Sequence, residues 1–91
     1  MPQFRKKPVV IEAVRAGDVI ASPADEWDGF PEWLHDAYDA GVISFKPGQV
    51  TIRTLEGEMT GGSEDWIIRG VKGELYPCKA EIFEATYEAA D

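Results

Sequence analysis

Pro47-Gly48, Glu56-Gly57, Gly61-Gly62 and Lys72-Gly73 punctuate the second half of the chain at short intervals. Between them lie VISFK, QVTIRTL, EMT, DWIIRG and ELYPC, runs that are short and rich in β-branched and aromatic residues. Glycine and proline supply turn conformations that other residues resist, so this spacing predicts short strands joined by tight turns. Everything after Gly41 therefore reads as an antiparallel meander.

The first half reads differently. Residues 8–16, PVVIEAVRA, are β-branched and bounded by Pro8 and Gly17, which predicts a strand. Alternation puts Val9, Ile11 and Ala13 on one face and Val10, Glu12 and Val14 on the other. Ser22-Pro23-Ala24-Asp25 has the form of a helix start: a serine N-cap, a proline in the first turn and a carboxylate near the positive end of the dipole. Gly29 and Pro31 break that helix. From Pro31 to Ala40 the apolar Trp33, Leu34, Ala37 and Tyr38 recur at helical spacing, and Gly41 ends the run. The outer face of this helix is acidic.

At the far end, residues 79–81 are expected to make a half-turn before a last strand, IFEATYE, with Phe83, Ala85 and Tyr87 buried on one face. KPVVIEAV at 7–14 and KAEIFEAT at 79–86 echo one another, which predicts two terminal strands paired in the middle of the sheet. Glu12 and Glu84 would then each face Arg69 or Lys7, or simply lie on a half-exposed face. The fold expected is α+β: one small domain, 1–91, with a twisted antiparallel sheet of about five to six strands. A helical acidic segment, about 22–40, packs on one face of it, and a half-open barrel is the variant.

Ninety-one residues suffice for one domain with a small core. The longest apolar runs are a few residues long, and Arg5, Lys6 and Lys7 precede Val9–Ile11 and Glu12, a pattern that predicts neither a signal peptide nor a membrane span. One cysteine, Cys78, and one histidine, His35, cannot form an intramolecular disulfide or the usual Cys/His zinc site. The net charge of −8 argues against direct nucleic-acid binding, which relies on lysine and arginine, and favours a basic partner. The charge is also one-sided. Between Arg15 and Lys46 there is no base, but there are seven acids: Asp18, Asp25, Glu26, Asp28, Glu32, Asp36 and Asp39.

Phosphate-loop, dinucleotide, serine-elbow and zinc-protease motifs are absent. His35 lies among acids that would suit a general base, but a solvated helix position is the commoner explanation of such a residue. Cys78 follows Pro77 in an apolar run and reads as a small buried thiol rather than a nucleophile, since no base accompanies it. Asp25, Glu26 and Asp28 offer oxygens to a hard cation without the spacing of an EF-hand loop. No catalytic residue, metal ligand or cofactor is assigned.

FRKKPVVIEAV at the start and DWIIRGVKGELYPCKAEIFEATYE near the end resemble the two ends of a family of small proteins from tailed bacteriophages and prophages. Glu64 stands where that family often carries a glycine. The resemblance implies a phage or prophage gene acting in the bacterial host cytoplasm, and it implies no activity.

Two functions follow as expectations. In the first, the protein is a non-enzymatic phage accessory protein. It binds a host defence or nucleic-acid-handling protein with a basic surface, of the anti-CRISPR or anti-restriction kind, by offering carboxylates where phosphates would sit. Asp25, Glu26, Asp28, Glu32, Asp36 and Asp39 supply the charge; Trp27 is either an exposed anchor or a ring folded back onto the sheet. In the second, it is a small-molecule or nucleotide-binding module, with Trp66, Arg69, Tyr76 and Lys79 holding an anion between aromatic walls at one end of the sheet.

Overall fold

A computed structural model describes residues 2–3, 9–22 and 24–90, with Ala24 and Asp25 described by their backbone alone. Pro8 and Pro23, invoked above as boundary residues, and Lys7, invoked as a partner for glutamate, lie outside the described residues. The chain is an α+β domain whose described residues form six antiparallel strands and three short α-helices.

Five of the strands expected in the second half form in the expected order, but the third of them runs through Gly61-Gly62, which the sequence suggested as a turn. β2 (Ile43–Lys46) and β3 (Gln49–Thr54) pair across Pro47-Gly48, with Lys46 opposite Gln49. Gly48 has φ +72°, the conformation that proline followed by glycine provides in a type II turn. β4 (Gly57–Gly62) follows through a turn closed by Thr54, whose hydroxyl donates to the Gly57 carbonyl at 2.7 Å and accepts from the Glu56 amide at 3.1 Å. β5 (Trp66–Arg69) and β6 (Leu75–Cys78) make the second hairpin.

The strands divide between two three-stranded sheets, β2-β3-β4 and β1-β5-β6, where the sequence suggested one. The division falls at the β4–β5 connection. There Asp65 donates its amide to the Gly62 carbonyl at 3.1 Å and accepts the Gly62 amide on its carboxylate at 2.8 Å. This tight loop turns the chain out of the first sheet. No described non-glycine residue has a positive φ, so Glu64 is accommodated without strain.

β1 is Glu12–Arg15, shorter than the strand read over 8–16, because Val9 and Val10 find no partner and stay exposed. It pairs with β5, Glu12 opposite Arg69 and Val14 opposite Ile67, and Val14 turns towards the core. Pairing stops at α1 (Ala16–Ile20), a short helix that the sequence reading did not anticipate. The amides of Ala16 and Gly17 bond the carbonyls of Asp65 and Ser63, and a Cβ on Gly17 would sit 2.5 Å from the Ser63 oxygen.

The helical segment splits at Gly29 and Pro31, as the sequence indicates, into a 3-10 helix (Ala24–Gly29) and α2 (Glu32–Asp39). Ser22 does not cap the first of these by its side chain; its hydroxyl lies 3.3 Å from the Glu26 carboxylate. Gly41, with φ +75°, ends α2: its amide bonds the Tyr38 carbonyl at 3.1 Å and the Val42 amide bonds the Ala37 carbonyl at 2.9 Å. That bond pair is a Schellman ending, which brings Val42 against Ala37.

The predicted last strand is a helix, α3 (Ala80–Thr86), so the two termini do not pair in a sheet. Ala80, Glu81, Glu84 and Ala85 favour helix, and a helix sets Phe83 and Tyr87 one turn apart with ring centroids 5.1 Å from each other. In a strand they would stand about 13 Å apart, too far to cover one patch. Phe83 stacks on Trp66 at 4.2 Å, but Ala85 is exposed and no residue of α3 is fully buried.

The main core lies where the sheets and α2 meet, and Leu34, Ile43, Val50, Ile52 and Ile67 are fully buried in it. Each such side chain contributes about 1.5–3 kcal/mol relative to an exposed one. On the other face of β5, Ile68 is fully buried beside Trp66 and Tyr76.

Candidate functional site

At 100° per residue, Glu32, Asp36 and Asp39 fall on one stripe of α2, opposite the buried Leu34 and Ala37. Glu26 and Asp28 extend the charge along the 3-10 helix, and all five acids are exposed. Asp25 belongs to the same segment, but its side chain is not described. Among the described residues the one ion pair is Arg69–Glu12 at 3.5 Å, so none of these five carboxylates is neutralised by a described base. Glu12 also accepts the indole N–H of Trp33 at 2.9 Å, which ties α2 to β1. Glu84 is exposed and makes no described ion pair.

Trp27 folds back onto the domain. It is half-buried, with its ring 4.6 Å from His35, 5.5 Å from Tyr38 and 6.5 Å from Phe45, centroid to centroid. His35 Nε2 lies 2.7 Å from the Trp27 carbonyl oxygen and donates to it, so the imidazole pins the 3-10 helix to α2. Of the proposed contact residues Trp27 is thus the support of the acidic surface, and the acids are its exposed part.

Beside this stripe lies an open groove of about 940 Å³. One wall is α2, through Trp33, Asp36 and Ala37; the others are the β3–β4 turn, with Leu55 and Met59, and the β5–β6 turn, with Glu74 and Leu75. The Schellman ending of α2 builds part of the lining, because it brings Val42 beside Ala37. The Arg53 amide bonds the Val42 carbonyl at 2.8 Å and fastens that ending to β3. Glu74 holds the far turn: its backbone carbonyl accepts the Gly70 amide at 2.8 Å and its carboxylate the Lys72 amide at 3.0 Å.

Acids and apolar groups share the lining of this groove. Asp36, Glu56 and Glu74 carry negative charge on its edge, and Arg53 is the one base among its described lining residues. Leu55, at the tip of the Thr54-closed turn, is fully solvent-exposed at 106 %, and Met59 is 41 % exposed. As contact or ligand residues the sequence points only to Asp36 and Tyr76 among these, while Trp33 and Ala37 are marked there only as apolar helix positions. Leu55 closes the run QVTIRTL beside the Glu56-Gly57 turn signal, and that position is its one trace in the sequence.

The alternative set, Trp66, Arg69, Tyr76 and Lys79, does not converge on one cavity. Register puts Trp66 and Tyr76 on one face of the β1-β5-β6 sheet and Arg69 on the other, where it meets Glu12. Phe83 covers Trp66, Lys79 stands exposed at the start of α3, and only Tyr76 lines the groove. Burial, and after it the neighbouring Tyr87 hydroxyl, push the Tyr76 phenol up to about 12. Burial, reinforced by the Asp65 carboxylate, raises the Cys78 thiol and lowers its thiolate fraction at neutral pH. No cluster of three or more metal-ligating side chains occurs among the described residues, and no described helix is long and apolar enough to cross a membrane. Comparison with protein-family models, curated proteins and solved structures found no match to this chain.

Proposed function

We propose that the protein is a non-enzymatic binding module that meets a basic surface of another protein through the acids of residues 25–39. The observation that carries this reading is the exposed row Glu26, Asp28, Glu32, Asp36 and Asp39, none of which has a described internal counter-charge. A solvated helix ordinarily mixes both signs, because paired charges stabilise it and like charges four apart repel. A one-sided face costs stability in isolation and recovers it against lysine and arginine, where it also speeds encounter.

The resemblance of both ends to tailed-phage proteins supports a setting inside an infected bacterium. A host protein that grips nucleic acid presents the fitting surface, since its phosphate-binding bases are spaced for a row of anions. On this reading the module competes with nucleic acid as an inhibitor of the anti-restriction or anti-CRISPR type.

The test is a bait bearing Glu26→Lys, Asp28→Lys, Glu32→Lys and Asp39→Lys together. The unaltered protein should retain a basic host protein from lysate and release it in competition with DNA or RNA. The reversed bait should lose it while its melting temperature stays within a few degrees, because the four positions are exposed. Retention of the same partner by both baits would show the reading to be wrong.

A further inference from the structure

We infer that the groove between α2 and the two hairpin turns is the seat for one segment of that partner: a peptide stretch with an apolar anchor flanked by lysine or arginine. The inference rests on the basic-partner reading and adds to it where contact is made and what shape of ligand is taken.

Three features converge on this occupant. The inner lining is largely apolar, through Trp33, Ala37, Val42 and Leu75, so it gains by covering an aliphatic or aromatic side chain. Leu55 and Met59 stand in solvent at its mouth, where their exposure is costly unless something apolar meets them. The Thr54 side chain makes two hydrogen bonds that hold the Leu55 turn in place, so this presentation is built in before any partner arrives.

Charge selects among apolar occupants. Asp36, Glu56 and Glu74 outnumber Arg53 on the edge, and Asp36 is shared with the α2 stripe, so the field of the stripe continues into the groove. A second copy of this chain, with net charge −8, would bring more negative charge to a negative edge. A basic segment suits both the rim and the inner lining: its cations reach the three carboxylates while its apolar anchor fills the trough.

The probe is a short fluorescein-labelled peptide with leucines flanked by lysines, compared with the same peptide carrying serine for leucine. Anisotropy should show the leucine peptide binding at least about tenfold more tightly, the worth of roughly 1.4 kcal/mol. Amide shifts in 15N spectra should change at residues 53–59 and 73–76. The double variant Leu55→Asp/Met59→Asp should weaken the leucine peptide about tenfold. It adds negative charge, so a purely electrostatic contact would be strengthened by it.

Equal binding of both peptides, or unchanged affinity in the double variant, overturns the groove and leaves the acidic surface standing. Absence of binding by the leucine peptide also overturns it, and the charge-reversed bait then decides the acidic reading separately. Should the unaltered protein sediment as a dimer and the double variant as a monomer, the occupant is a second copy and the inference falls.

Discussion

Tyr76 and Gly17 illustrate how single positions answer to neighbours far along the chain. Burial, and after it the Tyr87 hydroxyl, favour the neutral phenol of Tyr76 and raise its folded value from 10.0 to about 12. A raised value means the folded state keeps a proton that the unfolded state releases. The resulting stabilisation is complete below pH 10 and is lost as pH climbs towards 12. The denaturant midpoint should fall across that window, and in Tyr76→Phe it should fall less steeply. Identical slopes in the two proteins would show that Tyr76 ionises alike folded and unfolded. Gly17 has no such titration, but its lack of a Cβ allows α1 to lie against the Ser63 carbonyl. Nothing in residues 8–18 alone signals that need, because Ser63 arrives from the loop between β4 and β5.

Among the elements, α3 is the one whose identity its own residues left open. Residues 80–86 satisfy the alternation of a strand as well as the spacing of a helix. A helix of seven residues is marginal in isolation, so its formation depends on what it can cover. The ring of Trp66 decides the matter by stacking with Phe83. Phe83→Ala should cost about 2 kcal/mol, roughly half the loss at a fully buried phenylalanine. Trp66 emission should shift to the red, with amide protection lost over 80–86 and kept in β2, β3 and β4. Protection retained over 80–86 would mean that α3 stands without its stacked anchor. By contrast α2 is legible from its own residues. The period of Trp33, Leu34, Ala37 and Tyr38, and the stop at Gly41, mark a helix of the observed length and face.

Taken whole, the molecule carries a large excess of exposed negative charge over positive. The net charge is −8, and the one described ion pair lies away from the 26–39 acids. Such a surface strains the fold through self-repulsion, which salt relieves as the screening length shortens from about 30 Å at 10 mM to about 8 Å at 150 mM. The melting temperature should therefore rise by about 2–5 °C over that range, equivalent to several tenths of a kcal/mol in a domain of this size. A fall with salt would mean that internal ion pairs dominate. The turn dipeptides, the helix stop at Gly41 and the lack of bases between Arg15 and Lys46 are local facts. They were enough to specify an α+β chain with five of its strand segments in order and an acidic helical middle. Which strands pair was another matter: β1 took β5 as its partner, and the sheets parted at the Gly62–Asp65 loop. The groove, too, has walls from residues some forty positions apart, since Trp33, Leu55 and Leu75 meet only once both hairpins have folded against α2. Periodicity and capping act within a turn or two of chain, whereas pairing and enclosure depend on which apolar faces find each other in space.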